Sequence, residues 1–275
     1  MSLGPFDWTG GPFLILYLVL LVTVVIAGVM IPAWHLPEGR RQKVSDPDQL
    51  AYLSGGRTRF ADSIVARLLA GRALVMDGKD KLDVRMRNGA SAAENSVLAL
   101  TAPLDWTRIE RTLRPTADSL HQGLQRAGLM LTGAERSNLR YWALLPYLML
   151  LMFGATKWFI GEARERPIGF LTVLLIVTAI LALIRALTIP RLTGAGIAAL
   201  GDARQAADRI RRAPLAGEVG LAVALFGTGV LVGSEFGAFH TMRAASGGDS
   251  GSSSGDGGGG DGGGCGGGGC GGCGG

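Results

Sequence analysis

The chain has 275 residues, 48% of them hydrophobic, with 27 lysines and arginines against 22 acidic residues and a net charge of +5. A mean hydropathy of +0.30, with the apolar residues gathered in blocks, excludes an ordinary soluble domain of this size. All three cysteines, Cys265, Cys270 and Cys273, stand in a glycine-rich C-terminal stretch.

Residues 1–12 form a short N-terminal segment with Asp7 and no lysine or arginine. Residues 13–31 are uncharged and apolar, and at about 1.5 Å per residue they can cross a hydrocarbon core of roughly 30 Å. A cleaved signal peptide is disfavoured, since no basic residue precedes the block and Met30-Ile31-Pro32-Ala33 is a poor cleavage site. The block is read as the first transmembrane helix.

Residues 35–140 have the composition of a folded domain. Ser45 or Asp46 can cap a helix with Pro47 at its first position, running through Leu50, Ala51 and Leu53 to a stop at Gly55-Gly56. A second helix starts near Arg59, placing Phe60, Ile64, Val65, Leu68 and Leu69 on one face and ending at Gly71. Leu74 and Met76, then Leu82, Val84 and Met86, alternate across Asp77-Gly78-Lys79-Asp80, which predicts a β-hairpin. Two more helices are expected, one from Asp105 to Leu113 ended by Pro115 and one from Ala117 to Ala127 capped by Thr116. The run Leu124 to Leu131 echoes Arg67 to Met76 as a helix, a glycine and a short apolar strand, so two equivalent strands could pair. The order of elements predicts a small α+β module of winged-helix-like type.

Residues 141–160 and 168–184 are two further apolar blocks joined by a short polar connection, as expected for an antiparallel transmembrane hairpin. Pro146 is placed in the first turns of its helix, where a missing N–H costs least, and Tyr141, Trp142, Trp158 and Phe159 mark interfacial belts. Residues 185–214 form a smaller cytoplasmic helical segment, with Thr193 capping a helix through Ile197, Leu200, Ala203 and Ile210. Its start, Gly194-Ala195-Gly196, superficially matches a dinucleotide-binding fingerprint. It follows a membrane helix rather than a strand, so a helix start packed beneath the membrane is the expected role. Residues 219–235, bounded by Glu218 and Glu235, are read as a fourth, short transmembrane helix.

Orientation follows the basic residues flanking the spans. Arg40, Arg41 and Lys43 follow the first span, Arg136 and Arg140 precede the hairpin, and Arg185, Arg191, Arg204, Arg209, Arg211 and Arg212 follow it. Residues 34–140 and 185–214 are therefore expected in the cytoplasm of a multi-pass inner-membrane protein. With four spans the tail is outside; with three it stays in the cytoplasm, where thiols remain reduced.

Residues 246–275 hold glycine, serine and aspartate with no large apolar side chain, a composition that predicts a disordered tail. Cys265-x4-Cys270-x2-Cys273 matches three ligand positions of a plant-type ferredoxin cluster whose fourth cysteine is missing. Three thiolates could capture Cu(I) or Zn(II), with water, His240 or another chain completing the site. Intermolecular disulfides, redox sensing and enzymatic modification stay open. His35, His121 and His240 are scattered, and no HExxH, nucleophile elbow or Walker sequence is present. The hydrophobic cores of the spans hold no acidic residue, which speaks against transport or proton relay.

A basic face of Arg57, Arg59, Arg67 and Arg72, with a wing of Lys79, Lys81, Arg85 and Arg87, is the nearest the module comes to a nucleic-acid surface. Residues 34–140 hold 17 lysines and arginines against 12 acidic residues, a mild excess that topology and anionic headgroups account for more simply.

Leu53-Ser54-Gly55-Gly56 with Arg59, Leu68-Leu69-Ala70-Gly71, the Leu192-Thr193-Gly194 helix start and the terminal CGGGGCGGCGG together resemble a poorly characterised family of bacterial multi-pass membrane proteins that end in low-complexity Gly/Cys tails. The resemblance covers most of the chain and implies no catalytic activity and no active-site residue. Such tails resemble substrates of peptide-modifying enzymes. The sequence therefore reads as a mainly α-helical membrane protein of three to four spans, a non-enzymatic scaffold that presents thiols to a modifying enzyme or another partner. A metal-binding or redox-sensing protein is the alternative. A membrane-tethered nucleic-acid-binding regulator ranks third.

Overall fold

The computed structural model of the chain describes residues 10–163 and 169–247. The cysteines and most of the hairpin connection lie outside the described residues. Within them the chain runs α1 (Gly10–Trp34), α2 (Pro47–Ala70), β1 (Leu74–Asp77), β2 (Lys81–Val84), α3 (Ala92–Leu98), β3 (Leu104–Asp105), α4 (Trp106–Arg126), α5 (Gly133–Ala163), α6 (Gly169–Leu187), α7 (Gly194–Ala206), α8 (Asp208–Arg212), α9 (Val219–Phe226) and α10 (Gly237–Ala245).

Three helices, α1, α5 and α6, are long and apolar enough to cross a membrane, and they pack together as a bundle. Ile15, Leu18 and Val22 on α1, Met149 and Met152 on α5, and Val173, Ile176 and Ile180 on α6 are each more than half exposed. An apolar girdle of this extent suits lipid rather than water. Inside the bundle, polar groups pair with one another. Tyr17 Oη lies 3.1 Å from Thr178 Oγ1, Trp158 Nε1 donates to Thr172 Oγ1 at 3.0 Å, and Arg185 Nε donates to the Gly28 carbonyl at 2.7 Å. Close approach depends on small residues. A Cβ on Gly154 would stand 2.7 Å from the Tyr17 ring and 2.8 Å from Leu175, and one on Gly28 would stand 2.6 Å from the Tyr147 ring. Because α5 already begins at Gly133, Pro146 lies inside the helix and not in its first turns. The helix continues through it.

α2 holds both predicted helices as two arms. Asp46 caps the first, its Oδ1 accepting from the Asp48 N–H at 3.0 Å, with Pro47 opening the helix. Between the arms, Gly55 and Gly56 leave helical geometry, and Gly56 has φ +69°, a conformation that excludes most L side chains. At the far end the residue in the left-handed region is Arg72 (φ 55°), one position beyond Gly71. The predicted hairpin forms, with Leu74 opposite Val84 and Asp77 opposite Lys81, and β3 adds to β2 in the order β1-β2-β3. Met86 falls beyond β2 and is 47% exposed.

Three sequence expectations are corrected. The two helices expected on either side of Pro115 are one, α4. Pro115 and Arg111, whose carbonyl loses its intrahelical partner, are both exposed, so water replaces the missing bond and the helix need not stop. The strand expected at 129–131 does not pair with the hairpin. Met130 bridges Leu192 instead, with Leu131 N–H donating to the Arg191 carbonyl at 3.0 Å and Thr193 N–H donating to the Leu129 carbonyl at 3.1 Å.

The third correction removes the fourth crossing at 219–235. Its apolar start is α9, which ends at Gly227 (φ 93°) and gives way to a 3₁₀ turn at Thr228–Leu231. Eight residues of helix reach only about 12 Å, far short of a bilayer core of about 30 Å. α9 instead packs along α2, burying Val219, Ala222, Val223, Ala224 and Leu225. Gly220 makes this possible, since a Cβ there would collide with Arg67 Cγ. Ser63 Oγ donates to the Gly220 carbonyl at 2.9 Å, and Ser54 Oγ donates to the Ala224 carbonyl.

One apolar core joins Phe60, Ile64 and Leu68 of α2, Leu74, Leu82 and Leu104 of the sheet, Ile109, Leu113 and Leu124 of α4, Val219 and Val223 of α9, and Leu231 and Phe239 after it. The α+β module is therefore composite. It is assembled from chain on both sides of the α5–α6 hairpin, where the sequence suggested a self-contained 35–140 and a separate 185–214.

The two halves meet the three-helix bundle at one junction. Gly194 N–H donates to the Pro37 carbonyl at 3.0 Å and Ala195 N–H to the Glu38 carbonyl at 2.6 Å. Thr193 Oγ1 donates to the Gly128 carbonyl at 2.7 Å and accepts from Gly196 N–H at 3.2 Å. These bonds tie the chain leaving α1, the chain approaching α5 and the chain leaving α6 into one knot.

Candidate functional site

The most unusual chemistry among the described residues lies where the C-terminal segment closes onto α2. Asp62, on the buried side of α2 between Phe60 and Ile64, is 2% exposed, and Arg243 on α10 is 1% exposed. Arg243 Nε donates to Asp62 Oδ1 at 2.6 Å. Its guanidinium carbon stands 3.7 Å from the centroid of the Trp106 ring, and the Phe239 ring leans on Trp106 with centroids 6.2 Å apart. Arg243 Nη1 donates to Ser246 Oγ at 2.9 Å, and that hydroxyl donates back to the Arg243 carbonyl at 3.0 Å. Nη2 is buried with no hydrogen-bond partner among the described residues.

Taking both charges out of water costs several kcal/mol per ion, so the pair adds little net stability over an apolar contact. Its consequence is specificity of place. The planar guanidinium meets a carboxylate on one edge and an indole face on the other, which fixes where the end of the described chain sits.

A second ionic cluster ties the start of α2 to its last turns. Arg67 Nη2 stands 2.5 Å from Asp48 Oδ1 and Nε 3.2 Å from Glu94 Oε1. Glu94 Oε2 also accepts from Ala90 N–H at 2.7 Å, and Ser91 Oγ caps α3 by accepting from Glu94 N–H at 3.2 Å. Burial pushes the Asp48 carboxyl above its ordinary range, outweighing the opposing pull of Arg67. These carboxylates hold an arginine and the loop before α3; both roles are architectural.

The residues expected to form a basic face do not stand free together. Arg57 pairs with Asp118 at 2.6 Å, Arg67 with Asp48 and Glu94, and Arg59 lies against Gly227, where a Cβ would collide with its guanidinium. On the wing, Arg85 pairs with Asp83 at 3.6 Å. The glycine-rich start of α7 offers no phosphate cradle, because the N–H groups of Gly194, Ala195 and Gly196 are taken by Pro37, Glu38 and Thr193. A Cβ on Gly196 would strike the Leu129 carbonyl. Close packing explains that glycine.

The histidines are not brought together. His35 stacks on Trp142 with centroids 5.9 Å apart, His121 stands 5.8 Å from the Tyr52 ring, and His240 Nδ1 lies 3.0 Å from Thr228 Oγ1. Among the described residues no group of three His, Cys, Asp or Glu side chains is arranged to hold a metal ion. The candidate ligands Cys265, Cys270 and Cys273 lie outside those residues.

The sequence reading missed Asp62, Trp106 and Arg243. Phe236, Phe239 and Met242 recur every three residues, which could have announced α10, and a lone carboxylate on the apolar face of α2 demanded a cationic partner. Which of the chain's many arginines answered it was not local information.

Fold and site together define the class: a mainly helical protein with three helices suited to cross a membrane and a composite module closed by a buried ion pair. Comparison with protein-family models, with characterised proteins and with solved structures finds no match to this chain.

Proposed function

We propose that this chain is a non-enzymatic scaffold of a bacterial inner membrane, with its composite module in the cytoplasm and its Cys-bearing C-terminal stretch presented from that module. The carrying observation is the Arg243–Asp62 pair. It holds Arg243, near the end of the described chain, in the module core, which supports a tail presented from the module side of the bundle. The basic residues flanking α1, α5 and α6 support a cytoplasmic module. Presented there, Cys265, Cys270 and Cys273 meet reducing conditions and are available to a modifying enzyme or another thiol-binding partner.

The metal reading keeps the spacing of the three thiols in its favour, with Cu(I) or Zn(II) as the soft ions to try. A winged-helix origin for the module rests on the two arms of α2 followed by the β1–β2 hairpin. Arg57, Arg67 and Arg85 are each engaged by a carboxylate, which weighs against a nucleic-acid role.

The test is a pair of reporters fused after Gly275. A fluorescent protein is expected to fold and fluoresce, whereas alkaline phosphatase active at the same point would place the tail outside and overturn the reading. Intact mass of the tail from native membranes then separates the chemistry: a covalent adduct favours modification, a metal-retaining tail favours capture, and bare thiols argue against both.

A further inference from the structure

We infer that Arg136, Arg140 and Arg191 form a binding site for the phosphate of an anionic phospholipid at the junction between bundle and module; this rests on the membrane reading of α1, α5 and α6. Arg136 and Arg140 are one helical turn apart on α5, just before the apolar run that begins at Tyr141. The Met130–Leu192 bridge brings Arg191, which follows α6, beside them. Arg136 sits in the field of both other arginines. Its Nε is buried without a hydrogen-bond partner, while Arg140 and Arg191 are exposed.

Like charges four residues apart on a helix repel, and a third brought by tertiary structure adds to the penalty. Native structures relieve such clusters with acids, but none of the three arginines makes an ion pair among the described residues. The acid nearest in sequence, Glu135, is engaged in capping α5: its Oε2 accepts from both the N–H and the hydroxyl of Thr132 at 2.8 Å. The cluster therefore asks for an external anion, and its depth names the source. Tyr141 and Trp142, the latter stacked on His35, mark the level where an aromatic belt meets headgroups. At that level the abundant anion is a lipid phosphate, which guanidinium forks match geometrically. Arg191 also lies near Gly56 at the kink of α2, with its Nη1 3.6 Å from where a Cβ would be, so the bound headgroup would sit against the module as well as the bundle.

The test uses the full chain in detergent and native mass spectrometry, with phosphatidylglycerol and phosphatidylcholine added separately. The wild type is expected to retain phosphatidylglycerol in preference, with retention falling about fivefold for each arginine removed. The triple R136Q/R140Q/R191Q is expected to lose the preference, and R111Q/R114Q/R126Q, on the exposed side of α4, to keep it. Equal retention of the two lipids by the wild type, or equal loss in both triples, would overturn the site. Displacement by millimolar inorganic phosphate would assign it to a soluble anion and overturn the lipid. If the first triple does not fold, R191Q alone decides, since unchanged retention there refutes the proposal. A chain that stays dispersed without detergent would instead sink the membrane reading beneath it.

Discussion

Arg243 and Asp62 show how one residue can decide where a long segment ends up. Removing the arginine takes from a buried carboxylate the guanidinium that donates to it, so Arg243→Ala is expected to cost about 3–5 kcal/mol, whereas replacing both partners with apolar or neutral residues of similar volume, as in D62N/R243M, costs much less. Thermal unfolding of the two variants in the same detergent tests this; equal losses would mean the pair carries no such burden. Glu218 offers a gentler case at the surface. The Arg209 guanidinium and the Leu215 N–H hold its carboxyl below the usual glutamate range. A depressed folded-state pKa contributes stability that is present above the unfolded value and fades as pH falls through the folded one. The gap in unfolding midpoint between wild type and Glu218→Gln is therefore expected to shrink from neutral pH to below the ordinary glutamate range. A gap that widens on acidification would contradict this.

Among the elements, α9 is the instructive one. By composition it is as apolar as the membrane spans, yet it is too short to cross and its surface fits α2. Gly220 and Ala224 let the backbones approach, and Ser63 and Ser54 reach across to the carbonyls this exposes. Gly220→Ala is expected to destabilise by about 1–3 kcal/mol through overpacking, because Arg67 cannot yield without disturbing Asp48 and Glu94. Unfolding of Gly220→Ala beside Gly201→Ala, an exposed glycine of α7 with nothing near its missing Cβ, checks it; equal midpoints would refute the close packing. Pro115 teaches the converse. A residue that ends helices by rule is tolerated inside α4 where both it and Arg111, whose carbonyl it orphans, are exposed residues.

At the scale of the whole molecule, the composite core makes the module depend on chain that follows both long helices of the α5–α6 hairpin. A chain ended after Phe226 loses Leu231, Phe239 and Met242 from the core, each contributing roughly 1.5–3 kcal/mol, and takes Arg243 away from the buried Asp62. It is expected to be unfolded or rapidly degraded, while a chain ended after Gly247 keeps every one of these contacts. Comparable levels of the two truncations in membranes would argue against a shared core. Local signals in the sequence already determined the three long apolar helices, the Gly55-Gly56 break, the β1–β2 hairpin and the Thr193 cap. A run of uncharged residues of sufficient length, an alternation across a turn and a capping hydroxyl each act over a few neighbouring positions. Tertiary structure alone decided that 219–226 packs on α2, that 129–131 pairs with Leu192, and that Asp62 is answered by Arg243. Apolar burial has no direction of its own, so the partner is chosen by shape and by paired polar groups contributed from 60 (Leu131 to Arg191) to 181 (Asp62 to Arg243) residues away.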